Sequence, residues 1–316
     1  MKRFLLKAAI FFLPVLMGLF IMELSLRSIP NNYKYKKQQL IKKEDSIKIL
    51  VLGSSHAHYG INPDYFSFDG FNFSNVSQSL DLDYALLEKY GGKLKNLDYI
   101  IIPISYFSLF GSLSTGIEQW RIKNYYIYYG IMPYKYSFSI NNIFEILNGT
   151  MTSNIKRIYS YYKDKPLQIT VSCNGFGLNY SSKIKNNMEE TGKTAALRHT
   201  VNDEKLYEYL EYNKGVMEKI IEWCKNKRIK LIFVTLPAYY TYRDKLNIDQ
   251  LSTMTNYMNQ IIKNYNNAYY YNFLDDDSFM EGDFFDADHL NEIGAMKITK
   301  KINNIITADD ITLLYH

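Results

Sequence analysis

Two short stretches carry residue types that can do chemistry together, although they lie near opposite ends of the chain. Leu50-Val51-Leu52-Gly53-Ser54-Ser55-His56 ends an apolar run at a glycine and sets a serine just after the turn. Asp286-Ala287-Asp288-His289-Leu290-Asn291 brings a carboxylate and an imidazole onto one tight stretch of chain. A serine hydroxyl is a weak nucleophile at neutral pH and needs an adjacent base. His289 is that base if it reaches Ser55, and Asp286 then holds the ring and stabilises its cation. Asp288 is the alternative orienting acid, with a solvated loop carboxylate as its simpler reading.

The elements around these stretches decide whether they can meet. Ile47 to Leu52 is a short apolar run (Ile47, Ile49, Leu50, Val51 and Leu52), the pattern of a strand in a parallel sheet buried on both faces. Phe71 to Phe73 and Tyr99 to Ile104 are further strands, and Asp81 to Lys95 is a helix between them. Asn202 or Asp203 can cap a helix carrying Leu206, Leu210, Met217, Ile220 and Cys224 at helical spacing. Leu231 to Thr235 is a strand, Leu251 to Ile261 lies on a helix, Tyr269 to Asn272 is a strand, and a helix runs from about Asn291 to Ile306. This alternation predicts an α/β fold with a doubly wound parallel sheet. Such sheets bind ligands beyond the carboxyl ends of their strands, where Ser55 and the Asp286–His289 stretch fall. Residues 108–200 break the alternation, are rich in Tyr, Asn and Ser, and read as an inserted cap subdomain.

The two stretches, in this order, resemble the SGNH or GDSL-like hydrolase superfamily. Gly53-Ser54-Ser55 is similar to its first block, with Ser54 in place of Asp and Ser55 as nucleophile. Asp286 to His289 is similar to its last block. Asn72-Phe73-Ser74-Asn75-Val76-Ser77 resembles the second block, with Ser77 where the family has an oxyanion-binding glycine. The third block, an asparagine after the third strand, is missing, and Ile104-Ser105-Tyr106-Phe107 offers only hydroxyls and backbone there. The resemblance implies a flavodoxin-like strand order, an acyl-Ser55 intermediate, and an oxyanion hole from the backbone N–H groups of Ser55 and Ser77. It covers about 47–107 and 201–306, and implies a catalytic domain of 47–107 and 201–316. The anchor, the missing third block and the insertion are most similar to branches that acetylate surface polysaccharides, alginate among them, or D-alanylate teichoic acid. That likeness implies an O-acetyl ester on an exported glycan, a membrane-bound O-acyltransferase as partner, and no cofactor.

Residues 1–26 hold Lys2, Arg3 and Lys7 before an apolar run from Ala8 to Met22, long enough to cross a bilayer as an uncleaved signal anchor. Residues 27–46 are polar and lysine-rich and read as a tether. Arg27, Lys34, Lys36, Lys37, Lys42 and Lys43 come after the span, so a positive-inside count favours a cytoplasmic domain. First spans that act as signals export the chain behind them, and export is the expectation. His56, Ser105, Arg198 and His199 are secondary substrate-binding candidates. His56 and His58 lack a carboxylate at useful spacing, so no metal site is expected. Trp120, Tyr125, Tyr126, Tyr128 and Tyr129 read as packing before they read as a sugar platform. Cys173 and Cys224, the only cysteines, read as buried free thiols. The net charge of +5 is dispersed, with no compact basic face for nucleic acid. The alternative function is a catalytically inactive, membrane-anchored glycan-binding or scaffold subunit of a polysaccharide assembly. A cytoplasmic lipid or thioester hydrolase is the further option.

Overall fold

Apolar runs too short for a buried helix pair here as parallel strands, with longer amphipathic segments laid over both faces. The structure is a computed structural model describing residues 1–132, 139–165, 168–201 and 203–314. Helix α1 (Lys2–Ser28) leads into α2 (Asn32–Lys42), β1 (Ile49–Val51) and α3 (Ser55–Gly60). Next come β2 (Gly70–Asn72), α4 (Leu80–Tyr90), β3 (Tyr99–Pro103), the short α5 (Ile122–Asn124), α6 (Met151–Asp164) and α7 (Met188–His199). The chain ends with α8 (Asp203–Asn226), β4 (Lys230–Thr235), α9 (Tyr240–Arg243), α10 (Ile248–Asn264), β5 (Ala268–Asn272), β6 (Phe284–Asp286), β7 (His289–Leu290) and α11 (Glu292–Leu314).

The five-stranded sheet has the order β2-β1-β3-β4-β5, every pairing parallel. This is the expected flavodoxin-like order. Alternate strand residues face opposite layers. Leu50, Leu52, Ile100, Ile102, Leu231 and Phe233 pack against α4, α8 and α10. Ile49, Val51, Ile101, Ile232 and Val234 pack against α3 and α11. The order reverses between β1 and β3, so a crevice opens beyond their carboxyl ends. The Asn202 cap and the Leu206 side chain lie outside the described residues.

Helix α1 is long and apolar enough to cross a membrane, and Ile10, Phe11, Phe12, Leu13, Leu16 and Phe20 on it are exposed. The stretch 27–46 is not a loose tether. It forms α2, which buries Tyr33, Lys36 and Leu40 on one face, spacings the lysine-rich composition hid. The Lys36 ammonium donates to Ser74 O (2.5 Å) and approaches His58 Nδ1 (2.9 Å). Burial without a carboxylate holds Lys36 well below the usual lysine range. Tyr125, Tyr128 and Tyr129 pack inside, as their packing reading requires, whereas Trp120 is exposed. Cys224 is buried, but Cys173 is exposed, unlike the expectation for it.

Candidate active site

Strand β1 ends at Val51, and the turn after it contains Gly53, whose φ of 114° suits glycine alone among common residues. A Cβ there would sit 3.3 Å from Ala57 Cβ and 3.4 Å from Pro103 Cδ, so the turn closes tightly on β3. Ser55 is thereby placed at the first turn of α3, half-buried, with its hydroxyl free to leave the sheet edge. Beneath the turn, the buried Asp83 accepts from Gly53 N (2.8 Å) and Gln78 Nε2 (2.6 Å). Burial pushes the Asp83 carboxyl up to about 8 despite those two donors.

The second half of the site comes from the hairpin β6–β7. Asn291 is the brace: its Oδ1 accepts from Ile293 N and Gly294 N at the start of α11, and its Nδ2 donates to Gly282 O and Phe284 O. Asp286 Oδ1 accepts from His289 N (2.8 Å) and Asp288 N (3.2 Å), closing the turn on itself. The result is a relay. Ser55 Oγ lies 2.9 Å from His289 Nε2, and His289 Nδ1 lies 2.9 Å from Asp286 Oδ1.

Asp288 corrects its simpler reading. It is buried, not solvated, with Oδ1 3.4 Å from His289 Nδ1 and Oδ2 3.4 Å from His56 Nε2. Its Oδ2 is also 3.7 Å from Arg198 Nη2 and 3.9 Å from His199 Nδ1. Burial opposes ionisation of Asp288, but the His289 cation and hydrogen bonds from both imidazoles hold its carboxyl well below the usual range. Burial likewise opposes protonation of His289. The charges of Asp288 and then Asp286 outweigh it and raise the imidazole to about 10. His199 goes the other way: burial lowers it to about 3 against the attraction of Asp288. His56, Asp288 and His289 also form a cluster whose potential ligand atoms lie within 4.8 Å of one another. Their nitrogens already face Ser55, Asp286, Asp288 and Ser105, which accounts for the cluster as a hydrogen-bond network.

The secondary candidates divide. Arg198 and His199 line the cleft of about 500 Å³ above Ser55, as do Tyr59, Phe107, Glu118 and Tyr180. His56 and Ser105 do not line it. Both are buried, and Ser105 Oγ meets His56 Nδ1 at 2.7 Å, so these two support Asp288 from behind and offer nothing to a ligand in the cleft. Ser77 lies on the cleft wall with φ of 61°, the left-handed conformation in which glycine is favoured. Its Oγ donates to Glu118, which Arg121 pairs at 2.8 Å.

Tyr180 was not singled out by the sequence. It stacks between Tyr59 (3.6 Å) and Phe285 (3.9 Å), with its ring edge-on to His289 at 5.3 Å. The insertion thus walls one side of the site. The Asn72 side chain fixes that wall's base by donating to Ala57 O and Ile61 O, while its backbone N–H donates to Asn174 O.

Sheet order and relay together define an α/β protein with a serine–histidine–carboxylate site at the topological switch point. No family model matches the chain, and no curated protein matches it. Among solved structures it is similar to a candidate acylhydrolase from Bacteroides fragilis NCTC 9343, at 9% identity over 87% of this chain and 95% of that one, with a TM-score of 0.42. It is also similar to a GDSL-like lipase from Bacteroides thetaiotaomicron VPI-5482, at 12% identity over 88% and 98%, with a TM-score of 0.41. Likeness this distant does not bear on function.

Proposed function

We propose that this protein is a membrane-anchored serine esterase or O-acyltransferase that works through an acyl-Ser55 intermediate. The observation that carries the reading is the continuous relay from Ser55 through His289 to Asp286 at the floor of an open cleft. Ser55 Oγ attacks the ester carbonyl while its proton passes to His289 Nε2. The negative charge collects on the carbonyl oxygen, towards which the backbone N–H groups of Ser55 and Ser77 are the proposed donors. Collapse breaks the bond to the alcohol, which takes the proton from His289. Water or an acceptor hydroxyl then attacks the acyl-enzyme, giving its proton to His289, and Ser55 is released. Without the family asparagine, the oxyanion hole has two donors instead of three.

The substrate proposed is an O-acetyl ester on a surface or exported polysaccharide, with the domain outside the membrane and an integral membrane O-acyltransferase as partner. Support comes from the motif resemblance and from α1. Expression of the wild type and Ser55→Ala in a strain deleted for the gene tests this. Loss of polymer-bound acetyl with the variant alone supports the reading. Full restoration by Ser55→Ala points to the scaffold alternative.

A further inference from the structure

Helix α6 has two unlike faces. Met151, Ile155, Tyr159 and Tyr162 recur at helical spacing on one side, and Ser153, Lys156 and Ser160 lie away from it. A helix on a soluble domain would turn the first set inward. Here those residues are 48%, 51%, 63% and 54% exposed, and the Lys163 ammonium lies over the Tyr159 ring, 5.4 Å from its centroid. Ile140, Phe144 and Leu147, just upstream, are exposed as well.

This apolar surface is fixed to α1. The Glu23 carboxylate, one turn before the end of α1, accepts from the backbone N–H groups of Glu145 (3.1 Å) and Ile146 (2.9 Å). Arg27 pairs with Glu23 and donates to Ile143 O at 2.6 Å. The buried Glu145 in turn holds Lys123 (2.9 Å), the Tyr128 hydroxyl (2.6 Å) and Arg157 of α6 (3.1 Å). The exposed apolar residues of α1 and those of 140–162 therefore belong to one rigid junction. With Arg157 neutralised by Glu145, the exposed Lys156, Lys163 and Lys165 remain beside the apolar face against a single Asp164, a charge balance that favours anionic headgroups.

We infer that α6, with residues 140–147, is an interfacial helix that rests in the surface of the same bilayer α1 crosses, apolar face to the acyl chains and lysines to the headgroups. The inference rests on α1 being a membrane span. Tyrosine at the lipid boundary and lysine reaching from it are the chemistry such a layer accepts. The junction also reaches the cleft: Lys123 and Tyr128 on Glu145 continue the segment that carries Glu118 and Arg121 on the cleft rim. The rim is thereby held at a set position relative to the bilayer.

The test uses the full-length protein, Cys173→Ser, in vesicles of phosphatidylcholine with phosphatidylglycerol. Single cysteines at Ile155→Cys, Tyr162→Cys, Ser160→Cys and Leu13→Cys carry an environment-sensitive fluorophore, read with brominated lipids and aqueous iodide. The 155 and 162 labels should be quenched several-fold more by brominated lipid than the 160 label, with the reverse order for iodide. If 155 and 162 behave like 160 while 13 is quenched by lipid, the anchor stands and the inference falls. Labels at 155 and 162 shielded from both quenchers would also overturn it, in favour of a protein partner. A label at 13 open to iodide would remove the span and the inference together.

Discussion

Replacing Asp288 with Asn should make the protein more active at neutral pH, not less. Asp288 Oδ1 lies 3.4 Å from His289 Nδ1, inside a buried site. Two opposite unit charges at that distance attract by about 5 kcal/mol at an effective dielectric of ~20, and by about 1 kcal/mol in bulk water. At about 1.4 kcal/mol per unit, Asp288→Asn lowers the imidazole pKa by about one to three units. The wild-type imidazole, raised to about 10 by its two carboxylates, is protonated at neutral pH in the resting site. A protonated ring cannot accept the Ser55 proton, so kcat/KM should climb with pH towards about 10. In Asp288→Asn the same limb should move down by about one to three units, with more neutral base available at pH 7. Part of that gain is offset because a less basic imidazole is a weaker catalyst. The assay is hydrolysis of 4-nitrophenyl acetate by both proteins from pH 5 to 10.5, corrected for background. A limb that stays put or moves up in the variant would refute the electrostatic reasoning. A neutral-pH rate lost without any change of limb would assign Asp288 a structural role only.

Asp286→Asn removes the acceptor 2.9 Å from His289 Nδ1 and leaves the ring free to adopt the wrong tautomer, so kcat should fall by about 10²–10⁴-fold with KM little changed, as steady-state kinetics would show. Asp83 is a buried carboxyl raised to about 8, so its folded pKa exceeds its unfolded value. Its contribution to stability is full below about pH 4 and is lost as pH rises through about 8. Thermal unfolding from pH 5 to 9 should show wild-type stability declining by up to about 4 kcal/mol, with a flatter profile in Asp83→Asn.

Gly53 and Ser55 come after a short apolar run with the pattern of a buried strand, and Asp286 and His289 precede a helix. The parallel order then brings strand ends together, so the relay was legible in the sequence before the fold was known. Other features depend on contacts between distant segments that leave no local period. Lys36 reads as a solvated lysine until α2 turns it onto Ser74 and His58. Asp288 reads as a loop carboxylate because only the hairpin geometry shows that its neighbours are His56 and His289. Tyr180 is one of 30 tyrosines, and composition cannot say which of them stacks beside the base. Ser77 takes a positive φ that glycine favours, a backbone feature its residue type did not announce.

The central claim is that His289 activates Ser55 as a nucleophile. Its most direct test is the intact mass of the full-length protein in detergent after incubation with a fluorophosphonate at pH 9, beside Ser55→Ala. One adduct on the wild type, mapped to Ser55 and absent from the variant, is the predicted result. Folded wild-type protein that stays unmodified, or a variant that is labelled equally, would contradict it.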